Sequence, residues 1–251
     1  MMESPSLLPR SEEWVYNGTD NVVVTMTRSG DIVSLPYDLR TQFARHLVRM
    51  RISQVKRYSF GKVLREQKIF GVHPRELSEC AVDLVTPQLG DTIMTDAELM
   101  VICQDIVNAV TSSSSSNSKL FFRLSHHGLV SGILQHFGIV GDTKDKVLRA
   151  PKFWDNLSSR GQGHVTSRLQ AMGFTEQVAS SLAPLLEAEV GLSQLSGMLR
   201  TVTKRKGEAG EAVKEALSEL KSIETRAMTL GLSFETVYCV RPGQGHIFVS
   251  G

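Results

Sequence analysis

Apolar and β-branched residues crowd into two short runs, Val22–Thr27 and Ile32–Leu35, on either side of Arg28-Ser-Gly-Asp31. Runs of this kind around a glycine turn predict a β-hairpin. The period then lengthens. Leu39, Phe43 and Leu47 recur every four residues with Ala44 and Val48 beside them, which predicts a helix carrying that face inward. Asp38 stands where a carboxylate caps a first turn. Residues 57–65 and 77–85 are again β-rich, and the eleven residues between them predict a hairpin with a long basic arm. Thr95-Asp-Ala-Glu98 has the spacing of a capping box, with apolar positions continuing to Val110. The Ser-rich stretch from Thr111 to Ser118 predicts a disordered surface loop. Lys119–Leu124 is short and apolar, as a buried strand is, and the helical pattern from His127 to Phe137 stops at Gly138. From Asp142 to Met228 the pattern is helical, punctuated by Pro151, Gly161, Gly163, Gly173 and Gly191. Its last helix, from Glu208, alternates acids and bases as a solvated face does. Two short strands, Phe234–Val240 and His246–Val249, come last.

Composition narrows the class. A chain of 251 residues, 41% hydrophobic and 22% charged, fits one large globular domain or one domain with a small insert. The N-terminus lacks the basic-then-apolar order of a signal peptide, and no apolar run approaches the ~18 residues of a membrane span. A cytoplasmic location and no membrane partner are therefore expected. Cys80, Cys103 and Cys239 form no Cys-x-x-Cys pair and have no histidines clustered beside them. Metal and disulfides are both unexpected, and buried or semi-buried thiols are the expectation.

Charge distribution changes the picture more. From Arg40 to Arg75 ten Lys or Arg residues face one acid, Glu66, about +9 in a chain whose net charge is +2. Such a local field attracts a polyanion, although a solvated basic surface is the plainer alternative. Candidate RNA-contacting residues are Lys62, Arg65, Lys68 and Arg75 on the predicted arm. Arg45 and Arg49 join them, one turn apart on a helix face where a bound anion would relieve their repulsion. Lys204-Arg205-Lys206 reads as a solvated turn, and His126 and His127 as the polar start of a helix rather than a catalytic pair.

The order of residues from Leu35 to Thr86 carries a further signal. Leu35-Pro-Tyr-Asp-Leu-Arg40 resembles the histidyl-tRNA-synthetase stretch whose acid and hydroxyl hold the substrate amino group. Lys56-Arg-Tyr58 through Val63-Leu-Arg65 resembles the motif 2 strand with the ATP-binding Arg, and Glu79-Cys-Ala-Val-Asp83 the returning strand. Together with Phe43-Ala-Arg45 and His73-Pro-Arg-Glu-Leu77, these stretches are similar to one family in particular. It is the histidyl-tRNA-synthetase-like regulatory domain of the eukaryotic amino-acid-starvation kinase of translation initiation factor 2 alpha. The similarity is dense from about Pro5 to Val140 and thin beyond.

The resemblance implies an α+β fold: a class II synthetase-like antiparallel sheet with flanking helices and a helical insert. It divides the chain into a core at 1–140, an insert at 141–230 and returning strands at 231–251. Ser4–Arg10 resembles the tail of motif 1, whose long helix builds the family's dimer interface; that helix and motif 3 lack counterparts in this sequence. It also implies a vestigial amino-acid pocket of Asp38, Arg40, Glu79 and Asp83. Here Arg40 replaces a small hydroxyl residue and Glu79 a Gln, so Arg40 is expected to neutralise both aspartates. The second electrophilic Arg has no counterpart, and Tyr238–Gly243 stands where the histidyl signature would be.

The expected function is therefore a catalytically inactive module, without cofactor, that binds uncharged tRNA and regulates an attached kinase domain, with the ribosome a further candidate partner. A divergent histidyl-tRNA ligase and a protein-interaction module without RNA binding are the alternatives. No kinase motif occurs within the 251 residues.

Overall fold

The computed structural model describes residues 7–9, 22–66, 73–87, 92–111, 121–148, 164–205, 207–240 and 248–250. They fall into two compact units, one up to Thr92 and one from Ile93.

In the first unit, β1 (Leu8–Pro9), β2 (Val24–Met26) and β3 (Ile32–Ser34) form an antiparallel sheet in the order β1-β3-β2. The predicted hairpin is present. Its turn is closed by Gly30 at φ 91°, a conformation that suits glycine, and by the Ser29 hydroxyl donating to Asp31 at 2.6 Å. Helix α1 (Arg40–Met50) follows. Asp38 caps it as expected, accepting from the Thr41 N–H and the Thr41 hydroxyl at 3.0 Å each. Leu39 and Phe43 face inward, but Ala44 and Val48 are exposed, and Gln42 is buried instead. The true helical period carries the inward stripe through positions three and four apart, 39, 42 and 43, so a strict four-residue rule drifts off the face.

Strands β4 (Val55–Arg65) and β5 (Arg75–Val85) form the long antiparallel hairpin, with Val55 opposite Val85 and Arg65 opposite Arg75. Leu39, Val63 and Ala81 make the small core of this unit. Gly61 is needed there: a Cβ would stand 2.8 Å from Leu39 Cδ2.

The second unit begins with α2, which spans Thr92–Thr111. It starts three residues before the expected capping box. Ile93 packs against the cluster of Ala97, Met100, Phe122 and Ala227, which draws the extra turn into the helix. Gln104 on α2 is buried; its carbonyl accepts from the N–H groups of Ser233 (2.7 Å) and Phe234 (3.0 Å), and its amide donates to the Gly231 carbonyl (3.1 Å).

There follow β6 (Phe121–Leu124), α3 (His127–His136), α4 (Gly141–Leu148), α5 (His164–Ala171), α6 (Glu176–Glu187) and β7 (Glu189–Val190). The remainder is α7 (Leu192–Met198), α8 (Arg200–Lys204), α9 (Glu208–Thr229), β8 (Glu235–Cys239) and β9 (Phe248–Ser250). The sheet order is β7-β8-β6-β9, with β6 and β8 parallel and the other pairs antiparallel. His126 caps α3, its Nδ1 accepting from the Gly128 N–H at 3.1 Å while Nε2 lies 2.8 Å from Glu219. The histidine pair thus opens a helix, as its position in the sequence predicts. Gly138, at φ 78°, ends that helix, and the Ile139 N–H returns to the Leu134 carbonyl at 2.9 Å.

Helices α3 and α9 pack closely. A Cβ at Gly132 would lie 2.7 Å from Val213 Cγ2 and 2.9 Å from the Ala209 carbonyl. The main core gathers around this contact, with Leu129, Ile133, Leu169, Leu182, Leu195 and Tyr238 fully buried. Cys239 is buried and Cys103 half-buried, but Cys80 is exposed, contrary to expectation, because its strand position turns it away from α1. No helix among the described residues is long and apolar enough to cross a membrane.

Two predictions follow from this packing. Gly132→Ala destabilises the protein by about 1–3 kcal/mol by overpacking, despite the better helix propensity of alanine, read from the urea midpoint at unchanged m. His136 titrates below its ordinary value near 6.5, first because of burial and then because of the Arg205 charge. The unfolded chain therefore binds that proton more readily. The stability contribution is fully present above pH 6.5 and is lost as the pH falls below it. His136→Asn is expected to flatten the decline in unfolding free energy between about pH 7 and 5 relative to the unsubstituted chain.

Candidate functional site

Pleating sorts the β4–β5 hairpin onto two faces. Odd-numbered residues point toward α1 and even-numbered residues away, and the register pairs odd with odd. The α1 face carries the pocket residues expected from the sequence, yet Arg57 organises them. Its Nε donates to Asp83 at 2.8 Å, a terminal N–H donates to the Leu39 carbonyl at 3.1 Å, and its guanidinium carbon lies 3.3 Å from the centre of the Phe43 ring. The two ion-pair side chains are only 18% and 15% exposed, so solvent screens them weakly.

Arg40 does not neutralise both aspartates. It is half-exposed and reaches only Asp83, at 3.9 Å, while Asp38 is spent on Thr41. Arg40 begins α1 and projects toward solvent, whereas Arg57 stands directly across the strands from Asp83. Glu79 is held in the same way. One oxygen accepts from the Leu39 N–H at 3.1 Å, and the other lies 3.5 Å from the Arg65 guanidinium, which sits 4.8 Å over the Tyr37 ring. Asp38, Arg40, Glu79 and Asp83 are thus brought together at the start of α1, with each acid engaged by the chain itself. Sequence reasoning missed Arg57: strand parity puts it on the face of Arg65, but only the register of β4 on β5 sets it opposite Asp83.

The candidate RNA-contacting residues are divided. Arg65 and Arg75 are directly opposed on the α1 face, a like-charge cross-strand pair whose repulsion the Glu79 carboxylate, 3.5 Å from Arg65, offsets. Arg75 is exposed, as are Arg45 and Arg49 on α1. Lys62 lies on the other face, 2.6 Å from Glu76, whose hydrogen bond and charge raise the lysine pKa. Lys68 falls outside the described residues. Among the described residues, no three His, Cys, Asp or Glu side chains gather as metal ligands would.

No protein-family model matches the chain. Mouse eIF-2-alpha kinase GCN2 is 28% identical over 253 residues, covering 98% of this chain and 15% of that protein. The crystal structure of histidyl-tRNA synthetase from Nostoc sp. PCC 7120 shares the fold with a TM-score of 0.72 at 17% identity, over 96% of this chain and 53% of that one. An ATP phosphoribosyltransferase regulatory subunit/histidyl-tRNA synthetase from Bacillus halodurans gives 0.69 at 17% identity, over 95% and 59%. The chain has the fold of the histidyl-tRNA synthetases and is similar in sequence to the GCN2 kinases over nearly its whole length. The expected α+β fold, antiparallel sheets with flanking helices, is the one observed.

This synthetase-like domain corresponds to only 15% of the length of the mouse kinase it matches. Within it, removing Asp83 strands the Arg57 guanidinium. Asp83→Ala is expected to cost about 3 kcal/mol in chemical denaturation, and Arg57→Met with Asp83→Leu to recover most of that loss.

Proposed function

We propose that this domain is a catalytically inactive synthetase-like module that binds uncharged tRNA and thereby regulates a kinase domain in the same longer protein. The reading rests on the fate of the pocket acids. A synthetase must leave carboxylates free to hold an incoming amino group and a cation free to meet the developing phosphate charge. Here Asp83 is taken by Arg57, Glu79 by the Leu39 N–H and Arg65, and Asp38 by Thr41. Amino-acid activation then has no open acid to start from, while the cation excess of residues 40–75 persists around Arg75, Arg45 and Arg49.

The kinship with GCN2 kinases supports the regulatory role, and the synthetase fold supports tRNA as the polyanion. A backbone-directed contact would read shape rather than sequence. Translation regulation places the module in the cytoplasm, with the ribosome a further partner.

Titration with deacylated tRNA across a salt series tests this. Neutralising four to eight phosphates gives a log–log slope of roughly −3 to −7. Arg75→Glu with Arg49→Glu is expected to weaken binding about tenfold or more and to make the slope shallower by ~2. A flat salt response, or unchanged affinity in that variant, would remove the tRNA reading. Histidine-dependent pyrophosphate exchange is expected to be absent; its presence would make the chain a ligase.

A further inference from the structure

The group that caps α3 is an uncommon one. Serine, threonine, aspartate and asparagine supply the oxygen at most helix starts, and none of them changes protonation near neutral pH. Here the cap is an imidazole, which does. His126 Nδ1 accepts from the Gly128 N–H at 3.1 Å, so that nitrogen is bare and the ring proton sits on Nε2, 2.8 Å from a Glu219 carboxylate oxygen. The Leu129 and Val130 N–H groups go to the His126 carbonyl at 3.1 and 3.2 Å, which leaves the ring as the acceptor for Gly128. Gly128 makes room for it: a Cβ there would crowd Nδ1 at 3.1 Å and Cε1 at 3.2 Å.

Opposing demands meet on this ring. Two carboxylates face it from neighbouring elements, Glu219 on α9 and Asp96 near the start of α2. The Asp96 carboxyl is pushed up by partial burial first and by the Glu219 charge second, and His126 pulls it back. Glu215 on α9 and His127 on α3 are exposed. The acids attract a charged ring, whereas the positive end of α3 and the Gly128 N–H repel one. We propose that His126 is a proton-operated cap on α3. Neutral, it holds Gly128 and donates to Glu219. Charged, it carries a second proton on Nδ1, ceases to accept from Gly128, and keeps Glu219 as a charge-assisted pair. The proton comes from solvent, which the side chain meets at 27% exposure. Acid thus loosens the first turn of α3 while it tightens the tie to α9. The proposal is independent of the RNA reading above.

The test is an NMR titration of the isotope-labelled 251-residue chain between about pH 5 and 8. The His126 ring-nitrogen shifts are expected to show the Nε2–H tautomer at the alkaline end and the doubly protonated ring at the acid end. The Gly128 amide shift is expected to move with the same midpoint, and its hydrogen-exchange protection to fall about fivefold as the cap is lost. His126→Asn keeps a capping oxygen without a titrating ring, so the Gly128 amide is expected to stay fixed across the range. Glu219→Gln is expected to move the coupled transition to lower pH. His136→Asn, at the far end of the same helix, is expected to leave the Gly128 response unchanged. An Nδ1–H tautomer at the alkaline end overturns the proposal. So does a ring that stays neutral throughout, a Gly128 amide unmoved while the ring titrates, or one that moves equally in His126→Asn.

Discussion

The Arg57 guanidinium holds the first unit in its present form. It joins Asp83 across the hairpin, the carbonyl of Leu39 at the start of α1, and the face of the Phe43 ring within that helix. A buried ion pair contributes little net stability by itself, since desolvation offsets the attraction. Its effect is directional. A planar fork satisfied on two edges and one face admits few alternative positions for the helix over the strands. Leu39 is thereby fixed from both ends of its backbone, its carbonyl by Arg57 and its N–H by Glu79, and its side chain fills the space left by Gly61.

The acids at the start of α1 therefore serve the fold: Asp83 through Arg57 and Glu79 through the Leu39 N–H pin that helix to the hairpin, in a setting where solvent screening is weak. The basic residues are used unevenly: Arg57 and Arg65 are engaged by Asp83 and Glu79, whereas Arg49 and Arg75 stand exposed.

The second unit is built on different physics. A glycine at position 132 lets α3 and α9 approach closely, and a buried apolar cluster around them supplies the stabilisation. Polar groups there serve geometry: Gln104 ties α2 to the chain entering β8, and His126 both caps α3 and reaches Glu219. The parallel pairing of β6 with β8 joins segments more than a hundred residues apart.

Local features were legible in the residues themselves. The Gly30 turn, the Asp38 cap, the two long strands and the Gly138 stop all arise from backbone preferences and short-range hydrogen bonds, which depend on neighbours in sequence. The order of residues from Leu35 to Thr86 also carried the synthetase-like fold. What the sequence left open depends on contacts between distant segments. The inward stripe of α1 shifted to Gln42, α2 gained a turn through Ile93, and Arg57 rather than Arg40 took Asp83. The division of the basic residues between two faces was equally hidden, because a one-residue step along a strand reverses the face. Only the register of β4 on β5 decides which cation meets an acid and which meets solvent, and that register is a property of two strands packed on a helix.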